Sequence, residues 1–446
     1  MVLEVAFSIQ KLCKVFMSIL KYPDLAFESP EVIYQTQQYL LRKHLRYVCD
    51  NSPYYREKLR GIDAENFELD SLSKLPLTDK SEISQYNNQF QAVSNKAVVD
   101  VAFSSGTTGQ PTKIVYTEND LDRLAYNEAQ AFRGCGISDE DLFLLTCTLD
   151  RCFIAGLAYF LGARALGASL IRNGHGTIAS HLDVIQRTSP TVVVGVPIFL
   201  LKLGKYIASQ GFNLVDSSIK RIVCIGEPLR DNDLRLLKVG QELESLWGAK
   251  VFSTYASSET ITTFCECESQ QGGHISADLG IVEILDEEGK SLQQGEIGEI
   301  VVTPLQIEGM PLVRFRTGDI SFIAGTSCSC GKNTVRLGPI LGRRKQMMKI
   351  RGTSIYPQSV QAVLDELPHV KEYYLRVRNN ESYSEDLTIH IALAGDGESL
   401  ANEVLQVLQA RLRVKPELVI DNLEVIRKVV HNPEFRKPVR FIDERK

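Results

Sequence analysis

The chain has 446 residues, 44% hydrophobic and 24% charged, enough for two or three domains with a sizeable buried core. A net charge of −5 leaves no basic footprint for nucleic acid, and ten cysteines without regular spacing exclude a disulfide framework. No low-complexity tract or internal repeat is present. From Gly342 onward 18 basic residues stand against 15 acidic ones, or +3, which leaves 32 against 40, or −8, before it. A mildly basic C-terminal part suits work on phosphates.

Residues 1–24 carry Phe7, Leu12, Val15, Phe16 and Leu20 between Glu4, Lys11, Lys14 and Lys21. The pattern predicts an amphipathic packing helix, too broken by charge for a membrane span and without a signal-peptide cleavage pattern. A cytoplasmic location is expected. Helical spacing follows over 30–65, then a turn at 75–80 where Thr78 or Asp79 can cap the next helix. Residues 98–103 read as a strand that leads into Ser104-Ser-Gly-Thr-Thr-Gly-Gln-Pro-Thr-Lys113. Gly106 and Gly109 let backbone approach an anion. Ser104, Ser105, Thr107 and Thr108 add hydroxyl donors, and Lys113 adds a positive charge. That is a cradle for a triphosphate, although it lacks the Gly-Lys-Ser/Thr close of the P-loop.

Beyond it, helices over 118–132, 157–166 and 178–188 alternate with strands over 142–147, 167–171, 191–196 and 221–225. Alternation with β-branched apolar runs predicts an α/β fold with a largely parallel sheet covered on both faces. The strand at 221–225 ends in Gly226-Glu227-Pro228, and a strand at 251–253 ends in Thr254-Tyr255-Ala256-Ser-Ser258-Glu259. Ligands of open α/β sheets lie at such carboxyl ends. Strands at 282–285, 298–303 and 321–324 predict a small antiparallel β subdomain near 281–341, which includes Arg314-Phe-Arg-Thr-Gly-Asp319. Cys265, Cys267, His274, Cys328 and Cys330 carry the soft ligands that tetrahedral Zn²⁺ takes. A strand at 387–393 and helices after Ser354 and over 401–412 predict a small α/β piece at the C-terminus.

In this order the motifs resemble the adenylate-forming (acyl-CoA ligase) superfamily, most closely its phenylacetate-CoA ligase branch, from about residue 30 onward. The resemblance implies an N-terminal adenylation domain over 1–341 and a mobile C-terminal lid domain over 342–446, with a hinge at 342–346 in Gly342-Arg343-Arg-Lys345. It implies that the Ser104–Lys113 loop binds the phosphates of ATP, with Gly226, Glu227 and Pro228 on the adenine side and Tyr255, beside Ala256, stacked on the base. Ser258 would contact the α-phosphate, Glu259 would hold Mg²⁺, and Asp319 and Arg343 would bond the ribose. Lys437, spaced from Arg440 as in the family's closing motif though Arg436 replaces its Gly, would be catalytic. By the same resemblance Cys267, His274, Cys328 and Cys330 would hold a structural Zn²⁺, with Cys265 as the spare ligand, pinning the β subdomain to the Glu259 loop. The implied reaction joins an aromatic or apolar carboxylic acid to coenzyme A through an acyl-adenylate. The acid pocket would lie between Cys152–Gly156, Gly195–Pro197 and the Tyr255 loop, with Phe153, Ile154 and Phe199 making it apolar. Transfer to a phosphopantetheine carrier protein, and a zinc-containing nucleotide-binding protein without catalysis, are the alternatives; a homodimer stays open.

Overall fold

The computed structural model describes residues 19–104, 112–174, 176–350, 353–379, 385–395, 397–432 and 438–445. The predicted amphipathic helix at the N-terminus, the centre of the hydroxyl-rich loop (Ser105, Gly106, Thr107, Thr108, Gly109) and Lys437 lie outside the described residues. No described helix is long and apolar enough to cross a membrane. The chain divides into two compact units, one holding residues up to Thr317 with Ser321–Pro339, the other Gly318–Ile320 with Ile340–Lys446.

The first unit opens with α1 (Pro30–Asn51) and α2 (Pro53–Lys58), each started by a serine cap and a proline in the first turn. Short α3 (Lys80–Gln85) is capped by Asp79 in a capping box with Glu82. Strands β1 (Asp100–Phe103) and β2 (Lys113–Tyr116) form a separate antiparallel pair on either side of the hydroxyl-rich segment. Next come α4 (Glu118–Gly134), β3 (Leu142–Leu145), α5 (Ile154–Leu166), β4 (Ser169–Arg172), α6 (Ile178–Thr188), β5 (Val192–Gly195), α7 (Pro197–Ser209), β6 (Arg221–Ile225) and α8 (Lys238–Trp247). Then follow β7 (Lys250–Ser257), β8 (Thr262–Glu266), β9 (Gly273–His274), β10 (Gly280–Leu285), β11 (Gly298–Pro304), β12 (Phe315–Ser321), β13 (Ile323–Gly325) and β14 (Arg336–Leu337).

The large sheet has the order β13-β14-β9-β8-β7-β6-β5-β3-β4. From β4 to β7 neighbours are parallel, joined by crossover helices. Alternating residues supply two cores. Phe143, Leu145, Val194 and Phe252 pack with Phe132 of α4 and Ala163 of α5. Leu144, Val193, Ile222 and Val251 pack with Leu203 of α7 and Trp247 of α8 on the opposite face. Burial on both faces explains why these strands read as unbroken apolar runs.

Two expectations are corrected here. The strand predicted at 251–253 runs on to Ser257 and turns back antiparallel as β8, so Tyr255 and Ala256 lie within a hairpin, not after a strand end. The stretch 281–341 does not form one antiparallel subdomain. β10, β11 and β12 belong to a separate four-stranded sheet completed by a later strand, while β13 and β14 pair onward to β9 and extend the large sheet. The strand expected at 321–324 breaks at Phe322 accordingly, with Ser321 closing β12 and Ile323 opening β13. Alternation of short apolar runs predicts strands but not their partners, and that is where the reading failed.

In the second unit β15 (Gly342–Arg343) pairs with residues 319–320 of β12. A hairpin of β16 (Met348–Ile350) and β17 (Thr353–Ile355) and helix α9 (Pro357–Glu366) follow. Then come β18 (Val370–Asn379), β19 (Glu385–Leu393), α10 (Gly397–Leu412), β20 (Glu417–Ile420), α11 (Leu423–Val430) and β21 (Phe441–Asp443), with the sheet order β20-β19-β18-β21. Val360, Leu364, Val404 and Leu408 fill one face of that sheet, and Ile426 and Val430 the other.

Candidate active site and metal cluster

The ends of the hydroxyl-rich loop meet: Ser104 N–H donates to the Thr112 carbonyl at 3.0 Å, above the Phe103–Lys113 pairing of β1 and β2. Helix α3 packs on the loop's exit, with Ser84 Oγ 2.8 Å from Thr112 Oγ1. Asn87 Nδ2 donates to the Lys113 carbonyl at 2.8 Å, and Lys113 Nζ to Asn88 Oδ1 at 3.3 Å. The first residue of α3, Lys80, places its ammonium 3.1 Å from the carboxylate of Glu259, whose side chain is 5% exposed. The sequence pattern marks Lys80 only as the start of a helix. A lysine in a first turn, where the helix dipole disfavours positive charge, was the available signal. The hairpin tip that carries Ser258 and Glu259 is tied to β2 as well, since Tyr116 Oη donates to the Ser258 carbonyl at 2.8 Å. Thus the loop's exit at Thr112 and Lys113 is linked to Ser258 and Glu259 through α3 and β2.

Tyr255 is half-buried, its ring 5.8 Å from that of Phe264, and Ala256 is exposed. Gly226 takes φ +74° directly after β6, a conformation suited to glycine. Glu227 Oε2 accepts from Ile198 N–H at 3.2 Å, capping α7, which has no side-chain cap of its own. Two residues past Pro228, Arg230 forms a buried fork on Glu266 of β8, with Nη2 to Oε2 at 3.0 Å, and Oε2 also accepts from Ser253 N–H at 2.8 Å. No sequence motif announced that pair. In the loop before α5, Arg151 and Cys152 take φ +62° and +53°, and Phe103 N–H donates to the Cys152 carbonyl at 2.9 Å. Two successive non-glycine residues at positive φ are strained backbone, which the Phe103 hydrogen bond helps to hold. Ile154 is buried, and Phe199 meets His181 edge-on at 5.4 Å.

Within the second unit, Asp319 and Arg343 face one another across β12 and β15, with Arg343 Nε 3.5 Å from Asp319 Oδ1. Arg445 donates to the carbonyls of Lys345 and Met347 at 3.0 and 2.6 Å, which holds the expected hinge segment. Arg440 pairs with Glu372 at 2.9 Å and Asp365 at 3.2 Å.

Cys267, His274, Cys328 and Cys330 bring their candidate ligand atoms within 4.8 Å of one another. Cys267 Sγ lies 3.6 Å from Cys328 Sγ, and Cys330 Sγ 3.6 Å from His274 Nε2. A tetrahedron with metal–sulfur bonds of about 2.3 Å has edges of about 3.8 Å, so the spacing fits a common metal. Burial, and then Lys332 and Arg336, hold the His274 imidazole down at about 3, so it is neutral near pH 7. Cys265 points elsewhere, its Sγ 3.5 Å from that of buried Cys135. All four residues belong to β8's exit, β9 and the loop before β14. The cluster therefore lies at the edge of the large sheet and not on the β10–β12 sheet, contrary to expectation.

The family model described as AMP-binding enzyme matches residues 41–307. Phenylacetate-coenzyme A ligase of Thermus thermophilus is 31% identical over 436 residues, 93% of this chain and 96% of the relative. Phenylacetate-coenzyme A ligase of Escherichia coli is 29% identical over 379 residues, 83% of this chain and 84% of the relative. A solved structure of 2-hydroxyisobutyryl-CoA ligase in the postadenylation state, in complex with 2-HIB-AMP, superposes with a TM-score of 0.81 at 20% identity, covering 96% of this chain and 94% of that one. The chain belongs to the AMP-binding enzyme family, as an adenylate-forming protein similar to the phenylacetate-coenzyme A ligases.

Proposed function

We propose that this chain is an AMP-forming acid–thiol ligase that activates an aromatic or apolar carboxylic acid with ATP and passes the acyl group to coenzyme A. The observation that carries the reading is the meeting of the hydroxyl-rich loop's exit with Ser258 and Glu259 through α3 and β2. Similarity to phenylacetate-coenzyme A ligases along 93% of the chain supports the same reaction class.

In the first step the substrate carboxylate attacks the α-phosphorus of ATP, pyrophosphate leaves, and an acyl-adenylate forms. In the second a thiolate attacks the acyl carbon and AMP leaves. The mixed anhydride is already activated, so no protein nucleophile is needed. The first step brings two anions together and requires positive groups at the phosphates. Backbone N–H groups and hydroxyls of the Ser104–Lys113 loop, with Lys113 and Lys437, are the residues we assign to that task. Glu259 offers the hard oxygen ligand for Mg²⁺, which when bound neutralises phosphate charge. Lys80 holds that carboxylate compensated in a nearly buried position. Gly226–Pro228 and Tyr255 would frame adenine, and Asp319 with Arg343 the ribose. We assign Zn²⁺ to Cys267, His274, Cys328 and Cys330, four protein ligands that make a closed structural site. Dependence on ATP and coenzyme A supports a cytoplasmic setting.

The test is carboxylate-dependent exchange of labelled pyrophosphate into ATP across aromatic and aliphatic acids, with Lys437→Ala and Glu259→Gln alongside. Exchange with apolar acids is expected, falling at least about 100-fold in either variant. Thioester formed with coenzyme A alone completes the assignment, whereas turnover only with a phosphopantetheine carrier protein would move the acceptor. No exchange with any acid, while ATP still binds, would leave a nucleotide-binding protein without this chemistry.

A further inference from the structure

The imidazole of His274 is held at both ends. Nε2 faces Cys330 Sγ at 3.6 Å, while Nδ1 lies 2.9 Å from the hydroxyl of Thr334. Thr334 is itself 2% exposed, and His274 is 7% exposed, so neither group can turn to bulk water for a partner. A neutral imidazole carries one ring hydrogen, and the nitrogen without it is the one that can bind a metal. Two tautomers are compatible with the contacts. If the hydrogen sits on Nε2, the threonine hydroxyl donates to Nδ1 and the Nε2–H points at the Cys330 sulfur. If it sits on Nδ1, the hydroxyl oxygen accepts and Nε2 presents a lone pair toward the three sulfurs.

We propose that Thr334 is the positioning residue that holds the His274 ring and accepts from its Nδ1–H, so that the Nε2 lone pair completes a Cys₃His zinc site. The inference rests on the zinc assignment and adds to it a residue that is not a ligand. Such outer partners fix the ring's rotation as well as its tautomer, and removing one typically costs 10–100-fold in metal affinity.

The frame around the pair supports this role. His274 on β9 lies opposite Cys265 of β8 on one side and Arg336 of β14 on the other, so its backbone cannot drift. Thr334 stands two residues before Arg336, which donates to the Ser327 carbonyl at 2.8 Å and to the Gln271 carbonyl. Cys328 and Cys330 sit in a turn closed by Gly331 N–H to the Cys328 carbonyl at 2.9 Å and Cys328 N–H to the Lys332 carbonyl at 3.0 Å. Asn333, between turn and threonine, is anchored to the carbonyls of Ala26 and Glu28 at 2.7 and 2.9 Å. The turn and the threonine are thus carried on one short braced segment, and the remaining freedom is the proton on the ring.

The experiment compares the full chain with Thr334→Val, which keeps the shape and removes the hydroxyl, and Thr334→Ser, which restores an oxygen. Each is stripped of metal under reducing conditions and titrated with Zn²⁺ against a coloured chelator, and melting is recorded with and without Zn²⁺. The wild type is expected to take one Zn²⁺. Thr334→Val should bind it at least 10-fold more weakly, with a smaller zinc-dependent rise in melting temperature, and Thr334→Ser should recover most of the affinity. Nitrogen NMR of the zinc form should place the His274 hydrogen on Nδ1. Unchanged zinc affinity in Thr334→Val, with melting lowered equally in both forms, would make the threonine a packing residue and overturn the proposal. A wild type that binds no zinc would overturn the metal assignment itself.

Discussion

Arg230 and Glu266 illustrate how much one buried pair can decide. Both are nearly inaccessible, at 7% and 2% exposed, and their fork ties the loop after β6 to β8 while Glu266 also receives Ser253 N–H of β7. Removing one partner of such a pair leaves a buried uncompensated charge, which costs about 3–5 kcal/mol, far more than losing a surface bridge. Arg230→Met is therefore expected to lower the urea-unfolding stability of the first unit by about 3 kcal/mol. Because Arg230 follows Gly226–Pro228, the same variant should raise the KM for ATP in the exchange assay more than it lowers kcat. Unchanged unfolding midpoints would show that the charges are well solvated after all. Glu259 and Lys80 differ from this pair, since Lys80 is 46% exposed and solvent screens its ammonium.

At the scale of elements, α4 and α5 approach closely because Gly162 has no side chain: a Cβ there would lie 2.3 Å from Glu128 Cβ and 3.1 Å from the Phe132 ring. Glu128 is consequently sealed between two helices and β8. It accepts from the Thr263 hydroxyl and, at 3.3 Å, from Asn127 Nδ2, while its other oxygen has no partner among the described residues. Burial pushes its carboxyl up to about 7, against the pull of Thr263 and Asn127. The ordinary value is about 4.3, so between about pH 4.5 and 7 the folded state holds the proton more tightly than the unfolded chain. The unfolding free energy then falls as pH rises through this window, by up to about 3 kcal/mol from this group. Glu128→Gln keeps the shape and removes the titration. Its stability relative to wild type should grow steadily from pH 5 to pH 7.5 in thermal melts, and a pH-independent difference would contradict the assignment. His44, whose imidazole burial holds near 4, works in the opposite sense and loses stability as pH falls below about 6.5, which is why the comparison with the isosteric variant is needed.

For the whole molecule, the cores of the two units share no residue, with Met348, Tyr373, Ile389 and Leu408 in one and Phe143, Val194 and Trp247 in the others. Separate cores unfold as separate cooperative systems unless strongly coupled. The chain has one tryptophan, Trp247, fully buried in the first unit, so its fluorescence reports only that unit while far-ultraviolet circular dichroism reports both. Unfolding curves from the two probes in urea should fail to superimpose, and coincident curves would mean the units unfold as one.

Much of the parallel layer was legible because each strand from Phe143 to Phe252 is an apolar run between polar turns, and burial on both faces leaves that imprint in local sequence. The family, too, was readable, since a phosphate loop and the segments at 226–228, 255–259, 314–319 and 342–352 each carry their chemistry within a few residues. The four soft ligands could be named for the same reason. What local pattern could not supply was pairing. The hairpin that lifts Ser258 and Glu259, the transfer of β13 and β14 to the large sheet, and the consequent seat of the Cys/His cluster depend on which backbone edges meet. Thr334 reaches His274 across 60 residues and Arg230 reaches Glu266 across 36. Hydrogen bonds and ion pairs of that span leave no periodicity in the chain, so only the tertiary structure decides which threonine orients the histidine and which arginine compensates the buried carboxylate.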